Sequence, residues 1–321
     1  MSCKTFKFII YFFLKEIYYW DTYWIVKAFL RSDAFKSARG IIENYFYLIQ
    51  EHGFIPNGNR SYYLDRSQPP LLTSMVKDYL DFSKDDSILD NVDLMIQEVV
   101  WFEQHRSVKV DYGTGCYTMF RYGSNGSGPR PESYKEDIEV CAASGFTSDE
   151  ECQEFYKHIR AGAESGWDFS SRWIIDQDGG CSGGLENIRA KFIVPVDLNS
   201  IMYKNYSTLS SFLARLGRHV ESSNYESKAT ALKRAVMTVL FDSTSRTWRD
   251  YDLIHGQRRE FYFASNLTPL WTDCYPEDRR EELGDKAAEY LLQVGAVRPG
   301  GLVTSTQVTG LQVNAAQVFI N

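Results

Sequence analysis

A helical period that keeps returning along the chain constrains the fold more than any other feature of the sequence. Over residues 32–53 apolar side chains fall at Phe35, Ala38, Ile41, Ile42, Tyr45, Leu48 and Ile49, one face of a 3.6-residue repeat. Ser32 or Asp33 is placed to cap its start and Gly53 to stop it. Pro69 and Pro70 open a second run through Leu72, Met75, Val76, Tyr79 and Leu80. After an acidic link, Ile88, Val92, Met95, Ile96, Val99 and Phe102 continue in the same phase. Helix-length windows follow at 148–164, 209–219, 225–241 and 277–297, and the spacing predicts no strands between consecutive helices in the first hundred residues. Two exceptions are expected: a small hairpin over 248–263 and a Gly-rich surface loop over 176–184 that lacks the G-K-[ST] ending of a phosphate cradle. Helical hairpins bury their inner faces as a bundle, a solenoid or a closed ring. In a ring the loops at one end converge, and loops are where function sits.

With 44% hydrophobic and 24% charged residues, 9 Pro and 22 Gly, neither a disordered nor a collagen-like chain fits. A formal net charge of −7 gives no electrostatic basis for a nucleic-acid partner. Aromatics make up 15%, and aromatic faces beside carboxylates suit sugar rings, although on composition alone a bulky core explains them better. Cysteines 3, 116, 141, 152, 181 and 274 form no C-x-x-C pair, and the five histidines form no paired motif, so a structural metal is not expected. Four N-x-[ST] sequons, at Asn59, Asn125, Asn205 and Asn266, favour a secreted or luminal location. The apolar run Phe8 to Leu14 is short for a signal peptide and lacks a small-residue cleavage site, and no stretch reaches the roughly 18 apolar residues of a membrane span. The residues specify no oligomeric state.

Four joins concentrate Trp or Tyr with Arg, Asn and carboxylates: 16–23 (EIYYWDTY), 56–70 (PNGNRSYYLDRSQPP), 129–134 with its Arg-Pro-Glu-Ser, and 164–173 (ESGWDFSSRW). Glycoside hydrolysis needs a carboxylic acid to protonate the leaving oxygen and, in inverting enzymes, a second carboxylate roughly 6.5–9.5 Å away to activate water. Taken singly each cluster has a plainer reading: Trp167 as core, Asp168 as an N-cap, Arg172 as a salt-bridge partner, Arg130 with Glu132 as a loop pair.

Together and in order, the motifs resemble the α,α-trehalase family. The pattern E-x-Y-x-W-D-x-Y is carried by Glu16, Tyr18, Trp20, Asp21 and Tyr23, and PNGNR, RSQPPLLT, GPRPESY, AGAESGWDFSSRW, VPVDLN and SNLTPLW follow. The resemblance implies an all-α (α/α)6 toroid of helical hairpins and inverting hydrolysis of trehalose to two glucose molecules without a cofactor. It implies Asp168 as general acid, kept protonated by burial beside Trp167. The implied sugar-binding positions are Trp20, Asp21, Asn57, Arg66, Gln68, Arg130, Glu132 and Trp167, with the two arginines donating to hydroxyls.

The chain also departs from the family pattern. Where the first family signature has P-G-G-R-F, this sequence has Ile10, Tyr11, Phe12, Phe13 and Leu14. The expected Q-W-D-x-P stands as Gln312, Val313, Asn314, Ala315 and Ala316. Read this way, residues 1–14 are an atypical N-terminal segment, 15–312 an incomplete, C-terminally truncated catalytic toroid without the general-base segment, and 313–321 a divergent tail. Little or no turnover is then expected of these 321 residues, the alternative role being a sugar-binding or regulatory relative of trehalase. Glu132 and Glu164 lie in site loops, and neither is assigned as a substitute base.

Overall fold

Helix dominates the computed structural model, which describes residues 16–307, 309–310 and 318–319. In chain order the α-helices of these residues are α1 (Asp21–Arg31), α2 (Phe35–His52), α3 (Leu72–Ser83), α4 (Val92–His105), α5 (Tyr134–Ala143), α6 (Asp149–Glu164), α7 (Val196–Arg215), α8 (His219–Ala235), α9 (Thr268–Thr272) and α10 (Arg280–Gln293). The expected all-α class holds. Segment 1–14 lies outside the described residues, as do the departures at 10–14 and 312–316 and the tail 313–321 apart from Val318 and Phe319.

Gly53 ends α2 as expected, at φ 84°, with its N–H on Ile49 O. The start differs. Ser32 and Asp33 do not cap α2; Ser32 closes α1 with its hydroxyl on Ala28 O at 3.0 Å, and α2 begins after Ala34 without a side-chain cap. The reason is α1 itself, an amphipathic helix burying Tyr23, Val26 and Leu30, whose end uses those residues. Nor is 209–219 a separate helix. Val196 to Arg215 run as one helix of 20 residues, Gly217 at φ 75° breaks the chain, and His219 opens α8. The window 225–241 is continued to its end by a π turn, Val236–Leu240.

Short strands at 193–194, 297–298 and 301–303 were not expected, nor was a longer pair. β1 (Ser107–Tyr112) pairs antiparallel with β2 (Gly115–Phe120), Tyr112 opposite Gly115 and Ser107 opposite Phe120, around Gly113 at φ 60°. The alternation of Val108 and Val110 before a Gly-containing turn was the available signal. The hairpin expected over 248–263 is present as Tyr251–Asp252 paired with Gln257–Arg258, and a second small ladder, Phe241–Asp242 with Thr247–Trp248, precedes it.

The chain forms two compact units, one of residues 1–105 and 204–229, the other of residues 106–203 and 230–321. In the first, α1, α2 and α3 pack on one another and α2 on α4, burying Val26, Leu30, Ile42, Ile49, Met75, Val99 and Phe102. Each such side chain contributes about 1.5–3 kcal/mol by leaving water. In the second, Tyr122, Trp173, Val194, Leu198 and Trp248 are fully buried. Of the four sequons, Asn205 and Asn266 are interior, Asn205 donating to Pro70 O at 2.9 Å and Asn266 accepting from Phe263 N at 2.7 Å. Only Asn59 and Asn125 are exposed. Among the described residues no helix is long and apolar enough to cross a membrane.

Helix α6, which leads into the ESGWD motif, starts with a reciprocal cap: Ser148 Oγ accepts from Glu151 N, and the Glu151 carboxylate accepts from Ser148 N at 3.0 Å. Ser148→Ala is therefore expected to cost about 1 kcal/mol in urea unfolding. An unchanged midpoint would mean that packing alone starts this helix.

Candidate active site

Trp20, Asp21, Asn57, Arg66 and Gln68 lie in the first unit, stitched by short-range hydrogen bonds. The segment before α1 lies against the 56–70 join: Tyr18 bridges Gly58, and Tyr19 N donates to Asn57 O at 3.2 Å. Asn57 and Arg66, both buried, are joined twice, by Asn57 N on Arg66 O at 2.9 Å and Arg66 Nε on Asn57 Oδ1 at 3.1 Å. Gln68 Oε1 accepts from Trp20 N at 3.0 Å, so the Trp20–Asp21 entry to α1 is fixed from the join's far end. Gly58 is required at its place, since a Cβ there would lie 2.9 Å from Ile17 O and the Tyr63 ring.

A cavity of about 430 Å³ also lies in this unit, but none of these five residues lines it. Its wall is largely apolar, from Ile25, Ile41, Tyr45, Leu48 and Leu64, and its Glu16 and Arg60 pair with each other at 2.8 Å.

Arg130, Glu132, Trp167 and Asp168 lie in the second unit. Buried Arg130 does not pair with Glu132, which is exposed. Its Nε and Nη2 grip Asp137 of α5 at 3.0 and 2.7 Å, and its guanidinium stands 4.7 Å over the Phe169 ring. Arg160 of α6 clamps the loop that presents Arg130, donating to the carbonyls of Ser127, Gly128 and Pro129 at 3.0–3.1 Å. Neither Asp137 nor Arg160 was singled out in the sequence; Asp137, in the first turn of a helix, was the more legible.

Trp167 is buried, with its N–H on Ser165 Oγ and its carbonyl accepting from Trp173 Nε1 at 3.1 Å. Asp168 beside it is half-buried, so the desolvation expected to keep it protonated is only partial. It is not an N-cap either; Ser170 caps the turn that follows. Glu164 cannot stand in as a base, because both its oxygens are held by Arg106 at 2.7 Å and Gly123 N donates to it at 2.8 Å, with no solvent access.

Beneath the ESGWDFSSRW turn, fully buried Arg172 forks onto two carboxylates, Asp197 at 2.7 and 2.9 Å and Asp250 at 2.6 and 2.9 Å. Desolvation works against its charge, but the two carboxylates outweigh that and raise its pKa above the ordinary guanidinium value. Asp250 also accepts from Val196 N at 2.8 Å and Asp197 from Leu198 N at 2.8 Å, so the first turn of α7, the VPVDLN motif, is bound to the same ion cluster. The salt-bridge reading of Arg172 is the correct one.

The trehalase family model matches residues 13–315. Trehalases from Apis mellifera, Tenebrio molitor and Homo sapiens are 40%, 38% and 37% identical over 93%, 92% and 92% of this chain. The matched stretch covers 47%, 54% and 50% of those proteins, so the chain spans about half the length of the curated relatives it matches. Among solved structures, neutral trehalase Nth1 from Saccharomyces cerevisiae matches 95% of this chain and 57% of its own at TM-score 0.71 and 24% identity. A GH63 mannosylglycerate hydrolase from Thermus thermophilus matches 92% and 73% at TM-score 0.56 and 12% identity. These likenesses show the fold, that of the (α/α)6 toroid enzymes.

Asp250→Ala would leave Arg172 short of one buried partner and Val196 N–H without an acceptor, and is expected to cost about 3–5 kcal/mol in denaturant unfolding. Glu132→Gln, at an exposed position, should stay within about 0.5 kcal/mol. Equal effects of the two would contradict the assignment of the cluster as the structural centre of this unit.

Proposed function

This chain belongs to the trehalase family, and we propose that it binds α,α-trehalose and contributes the general acid to its inverting hydrolysis to two glucose molecules. The match over residues 13–315 carries the reading, and the intact ESGWD motif gives the acid its place. Residues 15–312 are the catalytic region in this reading.

Asp168 protonates the glycosidic oxygen as the bond to the leaving glucose breaks. Its partial exposure lets it be reprotonated from solvent between turnovers. The faces of Trp20 and Trp167 receive the pyranose rings, and Asn57, Arg66, Gln68 and Asp21 meet hydroxyls. Asp137 fixes one edge of Arg130, so the N–H groups beyond that edge point to the sugar, with Glu132 as the nearby acceptor. The reaction requires a second carboxylate to activate water and no cofactor. No residue described above takes that second role.

The exposed sequons at Asn59 and Asn125 support a secreted or luminal location. Expression through a secretory pathway should give an endoglycosidase shift of no more than two glycans, removed by Asn59→Gln with Asn125→Gln. A shift that survives both changes would mean that Asn205 or Asn266 is reached before folding.

The direct test is isothermal calorimetry with trehalose, with maltose as the control, alongside a glucose-release assay. Asp168→Asn should bind trehalose as wild type does and lower any glucose release by at least about 10²-fold. Binding of maltose but not trehalose would overturn the substrate, and glucose release unchanged by Asp168→Asn would overturn the acid.

A further inference from the structure

One buried carboxylic acid is used by none of the chemistry above. Glu98 of α4 has no exposed surface, and its Oε1 accepts the hydroxyl of Tyr19, which is equally buried. The same Tyr19 oxygen accepts from Leu72 N at 2.8 Å, the first residue of α3. Glu98 Oε2 has no hydrogen-bond partner among the described residues. Tyr19 is therefore a three-way junction. Its backbone N–H is on Asn57, its hydroxyl joins α3 to α4, and the next residue is Trp20, whose own N–H is on Gln68. Asn57, Arg66, Trp20 and Gln68 are each reached from Tyr19 in one or two steps of hydrogen bond or chain, and Asp21 follows Trp20 in sequence.

We infer that Glu98 is a positioning residue for the sugar-binding loops, acting through Tyr19 to hold the Trp20–Asp21 entry against the 56–70 join. The inference rests on the proposed sugar role of those loops. Glu98 does this as the neutral acid. Burial raises its pKa to about 8 although the Tyr19 hydrogen bond pulls the other way. The titratable groups facing it are the hydroxyls of Tyr19 and, from α2, Tyr45. Both stay neutral because burial raises each, with Asp21 adding to the effect at Tyr45. A carboxylate here would be an uncompensated interior charge, which is costly.

The sign of the pH effect follows from linkage. A folded pKa above the unfolded one means the closed state holds one more proton, so the junction is firmest below the ordinary carboxylate range. It then loosens as pH rises, until about 8. Opening that exposes Glu98 should grow by about tenfold per pH unit across that window and level off above it.

The test is amide hydrogen exchange at Leu72 and Trp20 in the full chain, corrected for intrinsic rates, between pH 5 and 9, on wild type and Glu98→Gln. Trehalose calorimetry on both serves as a separate readout. Glutamine reproduces the neutral acid in shape and cannot ionise. The expected result is protection that falls with pH in wild type and is flat in Glu98→Gln, with trehalose affinity following the same two patterns. A wild-type slope retained in Glu98→Gln would overturn the inference, as would flat protection in wild type. If Glu98→Leu folds, it should lose protection at both amides at every pH; full protection would also overturn it. Exchange as expected with no trehalose binding by wild type would sink the sugar reading and leave the Glu98 junction standing.

Discussion

A guanidinium with no access to water can persist only if its charge is answered at every edge, and Arg172 sets that condition for the second unit. Asp197 and Asp250 answer it from two distant stretches of sequence, and each carboxylate also receives a backbone N–H from the start of α7. The ESGWDFSSRW turn is thereby tied to the VPVDLN motif and to the Asp250 segment by one cluster. Trp167 and Trp173 both lie under its charge, with ring centroids 5.2 and 4.5 Å from the guanidinium carbon. Asp168 can stand half-exposed on a short turn and still be held in place, because its neighbours on both sides are immobilised.

The first unit meets a similar need by different means. Its loops are held partly by uncharged hydrogen bonds, Gln68 with Trp20 and Tyr19 with Leu72, and partly by the buried Arg66 guanidinium, which donates to Asn57 and pairs with Asp65 at 3.3 Å, while the acid beside Tyr19 is neutral. The neutral Tyr19–Glu98 junction is less costly to bury than an ion pair, but its strength depends on pH. Ion pairs between groups titrating far from neutrality do not share that dependence.

Much of this was legible in sequence. The period over 32–53 and the helix-length window 148–164 define α2 and α6 because local chemistry decides them. The motif order identified the family, which the match over residues 13–315 shows. What sequence could not supply was the partner of each charged group. Arg130 looks paired with Glu132, two residues away, yet the fold gives it Asp137, since α5 turns that carboxylate inward while Glu132 faces water. The caps at Ser32 and Asp33 were misread because two helices compete for one short turn, and α1 takes the Ser32 hydroxyl and the Asp33 N–H. Glu98 was not singled out in the sequence, where it stands between the stripe positions Ile96 and Val99. Only the depth of α4 in the fold makes it interior.

Buried polar clusters are seldom the most stable solution to a packing problem, since well-packed apolar side chains of similar volume do as well or better. Arg172, Asp197, Asp250, Arg106, Glu164, Arg130 and Asp137 are all buried, and each lies in, or is bonded to, a segment that carries a motif. Stability alone would not place so much charge in the interior. Fixing the direction of loops that must remain irregular would, because a forked ion pair specifies an orientation where an apolar contact specifies only proximity. The same argument explains why the helical framework follows a simple period while the joins do not. The framework has only to exclude water, whereas the joins hold individual charged and polar groups in fixed directions, as the proposed sugar contacts would require.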